Sequence, residues 1–179
     1  MRVIAGEFKG RQLKSPHGQR THPMAEKIRG ALFNILGDIE GLTILDAFAG
    51  GGSLSIEAIS RGAKYAVVID RDKYAVRALR QNIADFNLAG RIKAIEANAG
   101  GWSDNNPNQQ FDIVILAPPY DDLQQGLLAK LARHVKPTGL LVLDWPGHQA
   151  APEFDGFKNI TDKNYGDAQL VFYKNSQAV

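Results

Sequence analysis

Leu42-Thr-Ile-Leu-Asp-Ala-Phe-Ala-Gly-Gly-Gly-Ser53 decides how this chain folds. A short apolar run, Leu42–Asp46, ends on an acid. A glycine-rich turn follows, and from Ser53 to about Arg61 the apolar spacing is helical. The glycines let the backbone turn sharply and approach a ligand with no Cβ in the way. The start of the helix leaves free N–H groups for a carboxylate or phosphate. Strand, glycine turn and helix in this order open a nucleotide-binding α/β sheet.

Downstream, the units repeat. Tyr65–Asp70 reads as a second strand, and its terminal acid can accept two hydrogen bonds from a ribose diol. Asp72 is placed to cap a helix running to about Asn87, with Ala75, Ala78, Leu79 and Ile83 inward. Ile92–Ile95, Phe111–Leu116 and Gly139–Trp145 read as further strands, and residues 121–133 as a helix. The polar run Gly100–Gln110 reads as a surface loop. Phe157–Asp162 and Ala168–Lys174 flank the turn signal Asn164-Tyr165-Gly166. Strands alternating with helices predict a mostly parallel, seven-stranded α/β sheet ending in an antiparallel hairpin. Upstream, residues 2–8 and 11–15 read as the strands of a small β-hairpin extension, 1–24. A helix over Ala25–Leu36 then opens a single domain, 25–179.

The chain has 179 residues, 44% of them hydrophobic and 22% charged, as in a globular protein. No apolar run approaches the ~18 residues of a membrane span. The N-terminus lacks the continuous apolar stretch of a signal peptide, and the expected location is the cytoplasm. Without cysteine there can be no disulfide, thiolate metal site or cysteine nucleophile. His17, His22, His134 and His148 show no ligand pairing, so no metal is expected. The net charge of +2 hides an asymmetry. Residues 1–36 hold seven cations against two anions, and the remainder is acidic. That distribution points to a polyanionic partner for the N-terminal segment.

The glycine turn alone is compatible with a dinucleotide or with S-adenosylmethionine. Gly50-x-Gly52-x-x-Ser55 departs from the dinucleotide fingerprint at its third glycine. Asp46 before the turn can receive a methionine ammonium group, whereas a pyrophosphate would be repelled. S-adenosylmethionine is the expected cofactor. Ser53 reads as a helix cap, since no Gly-x-Ser-x-Gly elbow surrounds it. Near the fourth strand, Ala117-Pro118-Pro119-Tyr120 places two rigid prolines and an aromatic ring where α/β sheets bind ligands. Proline carbonyls can point into the cleft, and Tyr120 can stack on an extruded base. Asp144-Trp145-Pro146 reads as packing and strand termination.

The chain resembles the RsmD-like methyltransferases, which modify a guanine N2 in 16S ribosomal RNA. The resemblance rests on Arg2-Val-Ile-Ala-Gly-Glu-Phe-Lys-Gly-Arg-Gln-Leu, Ile28-Arg-Gly-Ala-Leu-Phe-Asn-Ile-Leu, Asp46-Ala-Phe-Ala-Gly, Ser60-Arg-Gly-Ala, Pro118-Pro-Tyr and Tyr165-Gly-Asp-Ala-Gln-Leu-Val-Phe-Tyr. It implies a Rossmann-like class I methyltransferase. It assigns the cofactor to Asp46, Ala47, Phe48, Ala49, Gly50, Gly52, Ser53, Asp70 and Arg71, with Asn98 and Ala99 at the adenine. His22, Pro23 and Met24 would lie beside the cofactor, where the family usually has Arg-Pro-Thr. Residues 117–120 would hold the target base. Arg2, Lys9, Arg11, Lys14 and Arg20 would grip phosphates of 16S RNA or a 30S assembly particle, fixing position without reading sequence. A monomer is the default expectation, and Trp102 is a candidate to flank the adenine.

Two positions depart from the family pattern. Asn98 stands where an Asp is usual, and Ala117 where Asp or Asn is usual. A side chain accepting the N–H bonds of the target amine would localise its lone pair; Ala117 has none to offer, although its carbonyl does. A weakened enzyme, a protein that has lost catalysis and an engineered inactivation all stay open. So do a non-catalytic cofactor- and RNA-binding assembly factor and an amino methyltransferase acting on DNA or protein.

Overall fold

A computed structural model describes residues 1–16 and 24–177. Its elements are α1 (Glu26–Leu36), β1 (Thr43–Asp46), α2 (Ser53–Ser60), β2 (Tyr65–Asp70), α3 (Lys73–Asp85), β3 (Ile92–Glu96), α4 (Ala99–Asn105), β4 (Phe111–Leu116), α5 (Gln125–Ala132), β5 (Val135–Pro146), β6 (Phe157–Asn164) and β7 (Ala168–Asn175). The seven strands form one sheet in the order β3-β2-β1-β4-β5-β7-β6. The first five neighbours run parallel, and β7 enters antiparallel between β5 and β6. The order reverses at β1, so the crevice beyond β1 and β4 is where such a sheet takes its ligand.

Alternation of side chains along the strands divides the interior into two layers. Ile44, Ile113, Ile115 and Val142 share one face with Leu32, Phe33, Ile56 and Leu79. Leu45, Val114, Leu116, Leu141 and Leu143 share the other with Trp102, Leu128 and Trp145. Asp72 caps α3 as expected, accepting from Tyr74 N and Ala75 N.

The N-terminal segment folds back on itself with far less regular strand than residues 2–8 and 11–15 predict. It makes a single antiparallel bridge, Arg2 with Gln12, around a run of turns. Val3 N donates to Arg11 O at 3.0 Å and Leu13 N to Met1 O at 2.9 Å across the fold-back, while Ile4 N and Ala5 N donate to the Glu57 carboxylate at 2.8 and 3.0 Å and Glu7 N to Ser60 O at 2.8 Å. Val3, Phe8 and Leu13 are buried in the first layer, so the segment packs firmly onto the sheet domain. A helix, α4, occupies part of the expected 100–110 loop. Asn98 Oδ1 caps it through Gly100 N and Gly101 N, and burial of Ala99, Trp102 and Ser103 outweighs the poor helix propensity of the two glycines. Helix α5 begins only at Gln125, because Asp122 N closes a turn onto Pro119 O first. Ser53 is not the cap of α2; that place belongs to Gly52, whose φ of 81° a side chain would resist. Among the described residues, no helix is long and apolar enough to cross a membrane, and no cluster of three or more potential ligand side chains could hold a metal.

Candidate active site

The site begins at the end of β1. Asp46 is fully buried; its Oδ2 accepts a hydrogen bond from Ser55 Oγ at 2.9 Å, and its Oδ1 has no hydrogen-bond partner. Burial pushes its carboxyl up to about 7, and the charge of Asp70 adds to the rise, while Ser55 and the Phe48 N–H oppose it. The turn that follows is held by two strand ends at once. Ala49 N donates to Ile69 O at 3.0 Å, and Gly50 N donates to Asp70 Oδ2 at 2.7 Å. The other Asp70 oxygen accepts from Asp72 N at 2.8 Å. Each of the two oxygens keeps a second lone pair.

Ala47, Phe48, Asp70, Arg71, Asn98 and Ala99 line one cleft, closed on the far side by Pro119, Asp122, Gln124 and Leu127. An exposed ion pair, Arg71 Nη2 to Asp122 Oδ2 at 3.1 Å, joins the two rims. Asn98 uses its carbonyl oxygen to cap α4, which leaves its amide NH2 as the group free for a ligand. Trp102 is not at the cleft. It is buried against Phe111 and His134, with ring centroids 6.4 and 4.9 Å away. His134 itself is bonded to Ser103 and Gln109 inside that layer.

Beyond β4, Pro118 is buried and Tyr120 stands 40% exposed. The Tyr120 hydroxyl donates to Asp144 Oδ1 at 2.6 Å. Burial, reinforced by that carboxylate, raises the phenol well above its ordinary range. Burial raises Asp144 as well, against the pull of the Tyr120 bond. Reading Asp144 as strand termination therefore missed a partner of the aromatic residue. An acid at the carboxyl end of β5 was the available signal, since ligands gather at those ends.

Strand register relates these groups. Asp46 lies opposite Ile115, and Ile115 opposite Val142. Ala117 and Asp144 follow Ile115 and Val142 by two residues, so both lie on the Asp46 face, about 6–7 Å further along. Met24 is partly buried against that same layer. His22 and Pro23, expected beside it, lie outside the described residues, as does Arg20.

The basic residues are exposed but not idle. Arg2 donates to Glu26 Oε1 through its backbone and pairs with Oε2 through its side chain at 3.3 Å. Lys14 pairs with Asp85 at 2.7 Å. Arg11 lies 3.9 Å over the Phe86 ring and donates to Asp85 O. Lys9 is exposed and makes no ion pair among the described residues.

A family model described as Conserved hypothetical protein 95 matches residues 1–174. The chain belongs to that family, the RsmD-like one. Within it, the Escherichia coli ribosomal RNA small subunit methyltransferase D is 32% identical over 79% of this chain and 69% of its own. A Bacillus subtilis relative, YlbH, is 31% identical over 97% of this chain and 98% of its own. A solved Escherichia coli chain, yhhF, matches with a TM-score of 0.85 at 27% identity, covering 98% of this chain and 97% of that one. That solved chain shares the fold described above over nearly its whole length.

Proposed function

We propose that this chain transfers a methyl group from S-adenosylmethionine to the exocyclic N2 amine of a guanine in 16S ribosomal RNA. The observation that carries the reading is the unpartnered Asp46 Oδ1, a buried acceptor beside a glycine turn. A buried acceptor left without a donor costs about 1–3 kcal/mol, and an ammonium group would satisfy it. Dinucleotide phosphates would meet the carboxylate instead. When bound, the cofactor supplies an electrophilic methyl group on a sulfonium sulfur. Asp46 would hold its ammonium, the spare lone pairs of Asp70 its ribose hydroxyls, and the cleft between Phe48 and Leu127 its adenine.

On the substrate side, the carbonyl of Ala117 or Pro118 would accept one N–H of the target amine while Tyr120 stacks on the base. Holding the two reactants in line supplies much of the acceleration. A guanine within folded RNA must be exposed or flipped to enter. The naming of the Escherichia coli relative supports a small-subunit RNA substrate, free or within a 30S assembly particle, and the chain would act as a monomer. Exposed Lys9 and Arg11, with the neighbouring cations, would hold phosphates.

The test is calorimetric titration with S-adenosylmethionine and NAD in parallel, followed by labelled methyl transfer to small-subunit RNA and to DNA at matched salt. Binding of the first ligand alone, weakened by Asp70→Ala, with transfer to RNA, is the expected result. No binding by folded protein would overturn the reading. A second reading, a cofactor- and RNA-binding module without catalysis, is favoured by Ala117. Binding of cofactor and RNA with no transfer would establish it.

A further inference from the structure

We infer that Asp144 is a catalytic residue: its Oδ2 accepts an N–H of the target amine, in the place left empty by Ala117. The inference rests on the methyltransferase reading above and specifies its substrate side. Three observations lead to it.

The first is register. Leu116 pairs with Leu143, so Ala117 and Asp144 are the next residues along two adjacent parallel strands. Both follow the alternation of Ile115 and Val142 onto the face that carries Asp46. Adjacent strands lie about 4.8 Å apart, so a carboxylate rooted at 144 reaches the space that a carboxylate rooted at 117 would fill.

The second is orientation. The Tyr120 hydroxyl donates to Asp144 Oδ1 at 2.6 Å, tying the carboxylate to the ring expected to stack on the base. Among the described residues no other side-chain hydrogen bond reaches Asp144, so Oδ2 keeps its lone pairs. The third is environment. No cation of the described residues forms an ion pair with Asp144, and burial holds its carboxyl above the ordinary range, as suits a proton acceptor in a partly dry cleft.

The arrangement accounts for chemistry that Ala117 cannot perform. As the amine attacks, its lone pair forms the new N–C bond and the electrons of the broken S–C bond stay on sulfur. One N–H proton passes to Asp144 Oδ2 and from there to solvent. A well-aimed group of this kind is worth ~100- to 1000-fold in rate.

Two measurements test the assignment. In single-turnover transfer to small-subunit RNA, Asp144→Asn, whose amide oxygen stays with the Tyr120 hydroxyl and turns its NH2 toward the amine, should lower the rate ~100-fold or more. Its affinity for S-adenosylmethionine and its unfolding midpoint should stay within twofold and a few degrees of the parent. Adding Ala117→Asp to that variant should restore at least tenfold, because the two positions serve one place. An unchanged rate, or a loss explained by weaker cofactor binding or unfolding, would overturn the assignment.

The second measurement needs no turnover. With S-adenosylhomocysteine present, guanosine should bind about tenfold more tightly than inosine, which lacks the N2 amine, and Asp144→Asn should bring the ratio to about one. A ratio that Asp144→Asn leaves unchanged, or a parent protein that does not discriminate, overturns the role of Asp144. Transfer to RNA by the parent would leave the methyltransferase reading standing in either case. Absence of transfer alongside an Asp144-dependent ratio would sink that reading and keep the amine contact.

Discussion

Ser55 Oγ donates to one oxygen of Asp46 at 2.9 Å, and the other oxygen of the same buried carboxylate completes no hydrogen bond. An α2 side chain thus satisfies half of a β1 acid. The unsatisfied half leaves a local instability at the start of the glycine turn, which a cationic ligand would relieve.

The titration of Asp46 follows from this. Its carboxyl is raised from 3.8 to about 7 in the folded chain. A raised carboxyl favours the fold when protonated, so that stability is complete below about pH 4 and is lost as pH climbs through 7. The ligand-free protein should therefore lose about 4 kcal/mol from this group between those limits, to order of magnitude. Asp46→Asn should flatten that dependence in denaturant titrations and weaken S-adenosylmethionine at least tenfold. Calorimetry at pH 6 in buffers of different ionisation enthalpy should register proton release on cofactor binding. An uptake of protons would contradict the assignment.

Glu57 anchors the N-terminal segment. Its carboxylate accepts from Ile4 N and Ala5 N, bonds Arg61 Nε at 2.8 Å and lies 3.6 Å from fully buried Arg29. Glu57→Gln should cost about 3–5 kcal/mol, because it leaves a buried guanidinium uncompensated. Limited proteolysis should then cut within residues 1–16 faster than in the parent. Equal cleavage rates would mean that the apolar contacts of Val3 and Phe8 suffice without the carboxylate.

Two glycines in that segment separate backbone strain from crowding. Gly6 and Gly10 have φ of 82° and 84°, but a Cβ at Gly6 would lie 1.8 Å from Ser60 O, while one at Gly10 would meet nothing. Gly10→Ala should cost about 1–2 kcal/mol from the left-handed conformation alone. Gly6→Ala should cost about 3–5 kcal/mol, since the clash is with backbone that cannot yield. Urea midpoints of the two variants check the order.

For RNA, Lys9 and Arg11 should behave differently. Lys9→Ala should weaken RNA binding, lower the slope of log K against log salt by about one, and leave stability unchanged. Arg11→Ala should also lower the melting temperature, because the guanidinium covers Phe86. Identical thermal profiles would show that the stacking contributes nothing measurable.

The strand–turn–helix at 42–53, the Asp72 cap and the C-terminal hairpin were legible because each is a local pattern: apolar period, capping geometry, turn chemistry. The same logic placed Asp70 at a strand end, the family resemblance added Asn98, and the two share one cleft with Phe48 and Arg71. Where the reading failed, a distant partner had overruled a local preference. Glu57 and Ser60 took the backbone donors of Ile4, Ala5 and Glu7 and shortened the N-terminal pairing, and burial of Trp102 turned part of the polar 100–110 run into α4.

From its order of residues alone, the chain specified an α/β sheet with a ligand turn after the first strand. Those features depend on spacings of a few residues, which backbone geometry reads directly. Tertiary structure decided that Asp46 is half-satisfied, that the N-terminal basic segment is pinned at Glu57, and that Asp144 stands beside Ala117 and holds Tyr120. Such contacts join residues far apart in the chain, and they follow from strand register and close packing, which exist only once the whole sheet has formed.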